Sequence, residues 1–288
     1  AYARANTDAA EQSRIDRLRI FAGIGTVSDS MPLIHENRQL VRDAVRLTKL
    51  VWCGGNRAYV SSIDGTPFYR AVFLGLYEVV DGLKSIGKLH EIDEDLFGFY
   101  LAPTFNAVKR MGGSLQRAFL TFFTPDRVTE DGINIDMSSR RREHVEYLLQ
   151  LNEDRKQTVE QVVEDTLDRE QPYAPYIYIT EVDGGMAGLV AGKLEGDSGM
   201  PCVVVSWDND HYAGSGRAPS WIDLKAELNS IDVKASGHAQ AFGIRFDTDD
   251  EIRAAYEHVK QVCDKAVADG ITVERIEDVT IGDGDDAD

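Results

Sequence analysis

Apolar residues in the first half of the chain recur at helical spacing. In the stretch HENRQLVRDAVRLTKLVW, Leu40, Ala44, Leu47 and Val51 fall on one helical face, and polar residues cover the other. This pattern predicts an amphipathic helix. Two more helices are predicted in TPFYRAVFLGLYEVVDGLKSIG, which opens with a Thr-Pro pair, and in GSLQRAFLTFFT.

Charge dominates the chain between Arg140 and Arg169. Val145, Leu148 and Val159 belong to a narrow apolar stripe at helical spacing, while the other face is charged throughout. A helix of about 30 residues would be about 45 Å long. The pattern suits either a solvated surface helix or a rigid strut between two domains.

Beyond the segment EQPYAP, strands alternate with helices. Such alternation indicates an α/β layer, and it places a domain boundary between Gln171 and Pro175. The helix in SWIDLKAELNSI has Ser220 as a candidate N-cap. Strands are predicted in YIYITEV, PCVVVSW, AQAFGIRF and ITVERIEDV, a short strand or turn in YAGSGRA, and helices in GGMAGLVAGKL and TDDEIRAAYEHVKQVCDKAVADG.

Length and composition agree with two domains. The chain has 288 residues, 43% of them hydrophobic, whereas one domain usually has about 100–200 residues. No run approaches the ~18 apolar residues of a membrane span, so no membrane contact is predicted. Cys53, Cys202 and Cys263 are far apart, which indicates neither a zinc site nor a disulfide framework and favours a reducing, cytoplasmic setting.

The charge balance is strongly acidic, with a net charge of −18 and an acidic tail, IGDGDDAD, that is interpreted as disordered. Phosphate binding needs local Lys and Arg, so this balance argues against a general nucleic-acid coat but leaves room for a small basic cleft. The opening AYARANTDAAEQSR has no initiator Met and no signal-peptide core. The chain is therefore expected to be a piece of a longer protein.

Two polar segments of the first half are candidates for chemistry. Asp29 ends a buried apolar run, and a carboxylate at the end of a buried strand suits a hard cation, although it would equally cap a turn. In LAPTFNAVKRMGG, Asn106, Lys109 and Arg110 offer hydrogen-bond donors beside a glycine pair. This segment is either a phosphate site or an ordinary loop.

The second half contains two glycine-rich motifs. Gly216 lies between Ser215 and Arg217, where glycine allows backbone N–H groups to approach an anion and the Arg fork suits phosphate. About twenty residues later, Gly237 precedes His238, whose imidazole suits a phosphodiester or a base. Each motif is alternatively a simple turn. Because both lie in one α/β unit, they are expected to line one cleft.

The order of these motifs resembles a known family. From about Ile15 to Phe246, they are similar to the last two-thirds of RecJ-type single-strand DNA exonucleases of the DHH phosphoesterase superfamily. The motifs are GTVSDSMPL with ENRQLV, then FGFYLAPTFNAVKRMG, the charged helix with LNEDR, GGMAGLVAGKL, PCVVVSWD, GSGRA and SGHAQAFG.

The resemblance implies an α/β fold in four parts. Residues 1–136 would be the C-terminal helical part of a DHH catalytic domain, 137–170 a connecting helix, 171–276 a mixed-sheet DHH-associated domain, and 277–288 an acidic tail. The family cuts single-stranded DNA 5′→3′ with Mn²⁺ or Mg²⁺ held by Asp and His. By this resemblance, Asp29 is a catalytic metal ligand.

The same resemblance assigns substrate contacts and shows departures. The Asp-x-Asp and Asp-His-His motifs that the family has upstream of the segment with Asp29 have no counterpart before Asp29 in this sequence. One Asp cannot build a two-metal site, so the remaining ligands are expected from an N-terminal DHH segment or chain. Thr104 and Lys109 replace the usual Arg and Gly, and Ser236 replaces the first Gly of Gly-Gly-His. The implied contacts to DNA are Ser215, Gly216, Arg217, Gly237 and His238, with Asn106, Lys109 and Arg110 at the cleft floor.

Three functional hypotheses follow. The first is the C-terminal portion of a RecJ-like 5′→3′ exonuclease on single-stranded DNA, inactive as this chain alone. The second is a non-catalytic single-strand-binding accessory module, and the third is a phosphodiesterase for short oligonucleotides or cyclic dinucleotides. The sequence that precedes Ala1 would discriminate the first two.

Overall fold

The structure of the protein is a computed structural model. It describes residues 19–29, 31–52, 67–89, 91–125 and 127–271. Apart from its first residue, the predicted strand ITVERIEDV lies outside the described residues, as does the acidic tail. The chain divides into two compact units, residues 1–155 and 156–288, and the division falls inside a long helix.

The first unit is helical. Its buried core includes Phe73, Leu74, Phe97 and Leu101. The elements are α1 (Arg19–Ser28), α2 (His35–Trp52), α3 (Pro67–Ser85), a π-helix (Leu96–Leu101), α4 (Ala102–Arg110), α5 (Leu115–Phe123), the hairpin strands β1 (Arg127–Glu130) and β2 (Ile133–Asp136), and α6 (Ser138–Asp168), which continues into the second unit.

The longer predicted helices of this unit are confirmed. The amphipathic pattern is α2, the segment that opens with Thr-Pro is α3, and the charged stretch is α6. Ser114 caps α5, because its side chain accepts a hydrogen bond from the backbone N–H of Arg117 at 3.3 Å.

Two local predictions for the first unit are wrong. The apolar run before Asp29 is the helix α1 rather than a strand, and its small residues serve helix packing: a Cβ on Gly23 would lie 2.3 Å from Cβ of Ala44 on α2. The segment with Asn106, Lys109 and Arg110 is the helix α4 rather than a loop. Pro103 lies in the first turn of α4, directly after the π-helix. Because proline has no N–H, it cannot donate a backbone hydrogen bond to the preceding helical turn, and it lies where the helix changes from π to α.

The second unit is a mixed sheet with helices on both faces. The strand order is β3-β4-β5-β7-β6, with β3 parallel to β4 and the other pairs antiparallel, which confirms the predicted mixed-sheet α/β unit. The elements are β3 (Ile177–Thr180), α7 (Gly184–Ser198), β4 (Cys202–Asp208), β5 (His211–Arg217), α8 (Leu224–Asn229), β6 (Lys234–Gly237), β7 (Ala241–Phe246) and α9 (Asp249–Ala268).

The two faces of the sheet differ in their cover. The core between the sheet and the helices α8 and α9 contains Phe242, Phe246, Leu224 and Ile252, all buried. The other face of β4 and β5 lies against α7. Strand β5, which the glycine-rich sequence left open as a strand or a turn, is therefore a central strand of the sheet.

The N-cap of α8 differs from the sequence prediction. Helix α8 begins at Leu224, and Asp223 caps it by accepting a hydrogen bond from the N–H of Ala226 at 2.9 Å. The predicted cap, Ser220, lies three residues before Asp223. The intervening Trp221 and Ile222 pack on the core in a non-helical segment, which shortens the helix at its start.

In the described part of the chain, none of the helices combines the length and the apolarity that crossing a membrane requires.

Candidate nucleic-acid interface

Strand β5 presents Ser215 and Arg217 toward α7. The two residues are two apart on the strand, so their side chains leave the same face of the sheet. A Cβ on Gly188 of α7 would lie 2.7 Å from Nη2 of Arg217 and 3.3 Å from Oγ of Ser215, and one on Gly192 would lie 3.9 Å from Cγ of Arg217. The glycines of α7 therefore open a slot for these two side chains.

Local contacts hold the Arg217 guanidinium in this slot. Its Nη1 donates a hydrogen bond to the carbonyl oxygen of Gly216 at 2.7 Å. Burial raises the pKa of the Glu195 carboxyl on α7, and the charge of Arg217 acts against that rise. A half-buried guanidinium held in this way has already lost much of its rotamer freedom, which reduces the entropic cost of binding an anion.

The glycines beside Ser215 and Arg217 are required by packing within the sheet. A Cβ on Gly216 would lie 2.2 Å from the ring of Phe242, and a Cβ on Gly214 would lie 1.9 Å from the carbonyl oxygen of Val204. These glycines keep the sheet and the core in register. The predicted contact of Gly216 with substrate remains a prediction.

His238 lies in the tight hairpin between β6 and β7. Its backbone N–H donates to the carbonyl oxygen of Ala241 at 2.9 Å, and its side chain is exposed. Gly237 has a φ of 131°, a conformation that favours glycine, and Nζ of Lys225 on α8 donates to its carbonyl oxygen at 3.1 Å. The bare backbone before His238 is therefore a requirement of the hairpin.

The two glycine-rich motifs meet at one end of the sheet. Arg217 lies opposite Ala241, and the N–H of Ala218 donates to the carbonyl oxygen of Gln240 in the His238 hairpin at 3.1 Å. This pairing brings Arg217 and the hairpin side by side, as the sequence suggested.

On the face of the sheet that α7 packs against, a row of small residues extends across the strands from β5 to β6, away from α7. Ser215 on β5 and Ser236 on β6 both lie opposite Gly243 on β7. Gly243 and Ser236 are exposed. The row forms an open polar floor beside the Arg217 slot.

Two cations flank this floor. Nε of Arg245 lies 2.6 Å from Oδ1 of Asp247, and Nζ of Lys234 lies 2.5 Å from Oδ2 of the same residue. Hydrogen bonds from Lys234 and then Arg245 lower the pKa of Asp247 to about 2. The pKa of Arg245 is raised by its hydrogen bond with Asp247 and also by the charges of Asp210 and Asp208. The two cations are therefore largely compensated by neighbouring carboxylates.

In the first unit, the predicted donors lie along α4. Asn106 and Lys109 are exposed, and Arg110 is half-buried. Burial lowers the pKa of Arg110. Burial and then the charge of Arg110 lower the pKa of Arg155 on α6, whereas the charge of Glu153 raises it. Two half-buried guanidiniums thus lie near each other, with one carboxylate close to Arg155.

A hydrogen-bonded chain positions Arg155. Its Nε donates to Oδ1 of Asn152 at 3.1 Å, and Nδ2 of Asn152 donates to Oγ1 of Thr104 at 3.4 Å. Thr104 is fully buried and donates to the carbonyl oxygen of Tyr100 at 2.7 Å, so it supports the helix packing from inside. Sequence reasoning assigned no role to Asn152 or Arg155, although both belong to the LNEDR segment that contributed to the family resemblance.

Asp29 is exposed in the turn that follows α1, where its N–H donates to the carbonyl oxygen of Gly25 at 3.0 Å. Across the described ranges, no group of three or more His, Cys, Asp or Glu side chains is arranged to hold a metal ion. The Asp29 carboxylate is of a suitable ligand type for Mn²⁺ or Mg²⁺, but these ions take several oxygen ligands and one carboxylate supplies only part of the set. The metal-ligand role of Asp29 therefore remains a prediction.

The chain is similar to known proteins in sequence and in fold. No family model matches the chain. The chain is 24% identical over 245 residues to the single-stranded-DNA-specific exonuclease RecJ of Bacillus subtilis, covering 82% of this chain and 27% of the relative. It is 21% identical over 273 residues to RecJ of Haemophilus influenzae, covering 91% of this chain and 42% of the relative.

Solved structures of RecJ share the fold. The crystal structures of RecJ from Thermus thermophilus with Mn²⁺ and with Mg²⁺ match with TM-scores of 0.58 and 0.61 at 20% and 19% identity. Each match covers 90% of this chain and 34% or 35% of the solved chain.

The chain therefore has an α/β fold in which a helical unit precedes a mixed-sheet unit, and that fold is shared with RecJ. Both kinds of comparison confirm the resemblance to RecJ-type exonucleases that the order of motifs predicted. The chain spans 27% and 42% of the length of the two curated relatives.

Proposed function

We propose that the chain is the strand-binding portion of a RecJ-like exonuclease that shortens single-stranded DNA in the 5′→3′ direction. The observation that carries this proposal is the pairing of β5 with the β6–β7 hairpin, which brings Ser215, Arg217 and His238 to one end of a sheet. The resemblance to RecJ supplies the substrate class. Such an activity belongs to DNA repair and recombination.

The side chains have distinct parts in this proposal. Arg217 donates N–H groups to a phosphate, since its planar fork matches two phosphate oxygens. Ser215 adds a hydroxyl donor from the same face of β5. His238, exposed in the hairpin, contacts the sugar or a base of the same strand. Gly216 and Gly237 hold the backbone that carries these groups.

The first unit contributes a second cationic site. Arg110 on α4 and Arg155 on α6 would bind another phosphate. Lys109 and Asn106 are further, exposed donors on α4. Contacts to phosphate position a strand without reading its sequence, as an exonuclease of broad specificity requires.

The proposed strand contacts do not include the metal ligands. We propose that an N-terminal DHH segment or chain carries the remaining ligands for Mn²⁺ or Mg²⁺, to which Asp29 adds one carboxylate. The strand contacts named above then bind and orient the strand.

The direct test of the strand-binding residues is Arg217→Ala. Fluorescence anisotropy with a 5′-phosphorylated oligodeoxythymidylate should show binding weakened by about tenfold or more, because a charge-assisted contact is lost. The slope of log Kd against log salt should fall in magnitude by about 1 for the lost phosphate contact.

Arg253→Ala is the matched control. This exposed Arg on α9 pairs with Asp250 at 3.6 Å on the helical surface, and its loss should leave both affinity and slope within error of the wild type. An unchanged salt slope in Arg217→Ala would remove Arg217 from the phosphate contacts and contradict the proposed site.

A further inference from the structure

The second helix of the first unit borders an open groove that the proposed exonuclease function does not use. Its volume is about 830 Å³. Among the residues that the structure describes, three apolar residues, one carboxylate and four cations line it: Leu33, Val41, Val45, Glu94, Arg38, Arg42, Arg46 and Lys49.

The cations form a row along α2. Arg38, Arg42 and Arg46 are separated by four residues each, so they lie on successive turns about 6 Å apart along the helix axis. Lys49 extends the row by three residues, which also keeps it on this face. The groove therefore has a continuous cationic wall about three turns long.

The acidic residue within the row is already engaged. Asp43 accepts from Nε2 of Gln39 at 3.0 Å and lies 2.9 Å from Nη1 of Arg19 and 3.8 Å from Nη2 of Arg46. Among residues 19–29, 31–52, 67–89, 91–125 and 127–271, none forms an ion pair with Arg38 or Arg42, and both are exposed. Within the described part of the lining, Glu94 is the only carboxylate. The described lining therefore carries more positive than negative charge, on a chain of net charge −18.

The same region exposes aliphatic side chains at the approach to α2. Met31, Leu33 and Ile34 have exposed fractions of 46%, 44% and 60%. Leu33 lines the groove, and Met31 and Ile34 are its near neighbours in sequence. Exposed apolar side chains that lie close together favour an interaction surface. A ligand that only neutralised the Arg row would leave these side chains in water.

We infer that this groove docks an acidic segment of a partner protein that also carries apolar side chains. Carboxylates of such a segment would pair with Arg38 and Arg42, and its apolar side chains would cover Leu33 and Val45. Nucleic-acid strands fit less well, because bases bind by stacking on aromatic rings and the described lining contains none. This inference does not depend on the proposed exonuclease function.

The experiment uses the full 288-residue chain and defined peptide probes. The main probe is a fluorescein-labelled ten-residue peptide that alternates aspartate and leucine. One control peptide has asparagine in place of aspartate, and another has serine in place of leucine. A 5′-phosphorylated oligodeoxythymidylate represents nucleic acid. Binding is measured by fluorescence anisotropy at two salt concentrations.

The expected result has three parts. The acidic and apolar peptide binds more tightly than either control peptide. Arg38→Ala combined with Arg42→Ala weakens its binding by about tenfold or more, as expected for two lost charge-assisted contacts. Leu33→Ser weakens its binding by about threefold or more, because an apolar contact is lost. Arg142→Ala, which removes an exposed Arg of α6, leaves the affinity unchanged.

Three outcomes would overturn the inference. One is equal loss of affinity in the double variant and in Arg142→Ala. Another is equal binding of the peptide without leucine, which would reduce the site to a simple anion attraction. The third is an oligonucleotide whose binding depends on Arg38 and Arg42 while the peptide's binding does not, which would make the groove a nucleic-acid track.

A second measurement uses only the wild-type protein and therefore does not depend on whether the variants fold. A benzophenone-labelled version of the peptide is irradiated with wild-type protein, and the cross-linked residues are mapped by mass spectrometry. Cross-links concentrated in residues 31–49 support the inference. Cross-links confined to other parts of the chain contradict it.

Discussion

At the scale of single residues, three glycines of the second unit position the proposed strand contacts in three different ways. Gly188 on α7 leaves the space that the Arg217 guanidinium occupies, and Gly216 on β5 admits the ring of Phe242. Gly237 adopts a φ of 131° that closes the hairpin at His238. The sequence marks these positions as glycine-rich. The side chains that Gly188 and Gly216 admit are distant in sequence, so the need for these two glycines is visible only in the folded structure. Gly237 is required by the local hairpin.

The slot for Arg217 can be tested with two alanine substitutions on one helix. A Cβ on Gly188 would lie 2.7 Å from Nη2 of Arg217, whereas a Cβ on Gly184 meets no atom within 4 Å. We expect Gly188→Ala to displace the guanidinium and weaken single-strand binding severalfold. Gly184→Ala should leave binding unchanged. Equal affinity of the two variants in an anisotropy titration would show that the slot does not position Arg217.

His144 makes the first unit sensitive to acid. The side chain is buried, and neither ring nitrogen has a hydrogen-bond partner among the described residues. Burial lowers the pKa of His144, the charges of Arg117 and Arg140 lower it further, and Glu143 raises it. The unfolded chain therefore takes up this proton first as the pH falls below about 6.5, and stability declines from that point downward.

His144→Leu should remove this acid sensitivity. Leucine has a similar size and brings no buried polar atom, so the free energy of unfolding at pH 7.5 should stay similar or increase. Urea unfolding at pH 7.5 and pH 5.5 should show a smaller loss of stability on acidification in the variant than in the wild type. The same loss in both proteins would mean that His144 does not titrate on unfolding.

At the scale of elements, the predictable parts are those whose pattern repeats over several turns. Helices α2 and α6 follow from apolar periodicity, because a long amphipathic stripe has few alternatives. The short apolar run of α1 fits a strand equally well, and only its packing against α2 decides for the helix. Strand β5 resembles a turn in sequence, since its glycines are selected by neighbouring strands and by the Phe242 ring.

The start of α8 gives an element-scale prediction. Asp223 accepts from the N–H of Ala226 at 2.9 Å, so Asp223→Ala should lower the free energy of unfolding by about 1 kcal/mol. Ser220, which the sequence offered as the cap, makes no such contact with this helix, and Ser220→Ala should change stability little. Chemical denaturation of both variants checks the assignment. A larger loss for Ser220→Ala than for Asp223→Ala would contradict it.

At the scale of the whole molecule, some of the basic groups lie close together on an acidic chain. The net charge is −18, yet Arg217 with the His238 hairpin, Arg110 with Arg155, and the Arg row of α2 each form a local cationic surface. Binding of a polyanion to such a chain depends on these local surfaces, because the remaining surface repels it.

The candidate site could be predicted in part. Chain order of the motifs placed Ser215, Arg217 and His238 in one α/β unit, and the strand pairing brings Arg217 beside the hairpin that carries His238. Arg155 escaped prediction because it lies on a charged helix where it looks like one more solvated cation. Its proximity to Arg110 depends on packing between α4 and α6, which local sequence does not encode.

The central claim is that this chain binds the strand, whereas the main metal ligands belong to another segment. The most direct measurement incubates the purified chain with Mn²⁺ and a 5′-phosphorylated single-stranded oligonucleotide, and follows both binding and strand length. We expect the chain to bind this strand more tightly than the matching duplex and to leave it at full length. Progressive 5′→3′ shortening by this chain alone, with loss of that activity on metal chelation, would contradict the account.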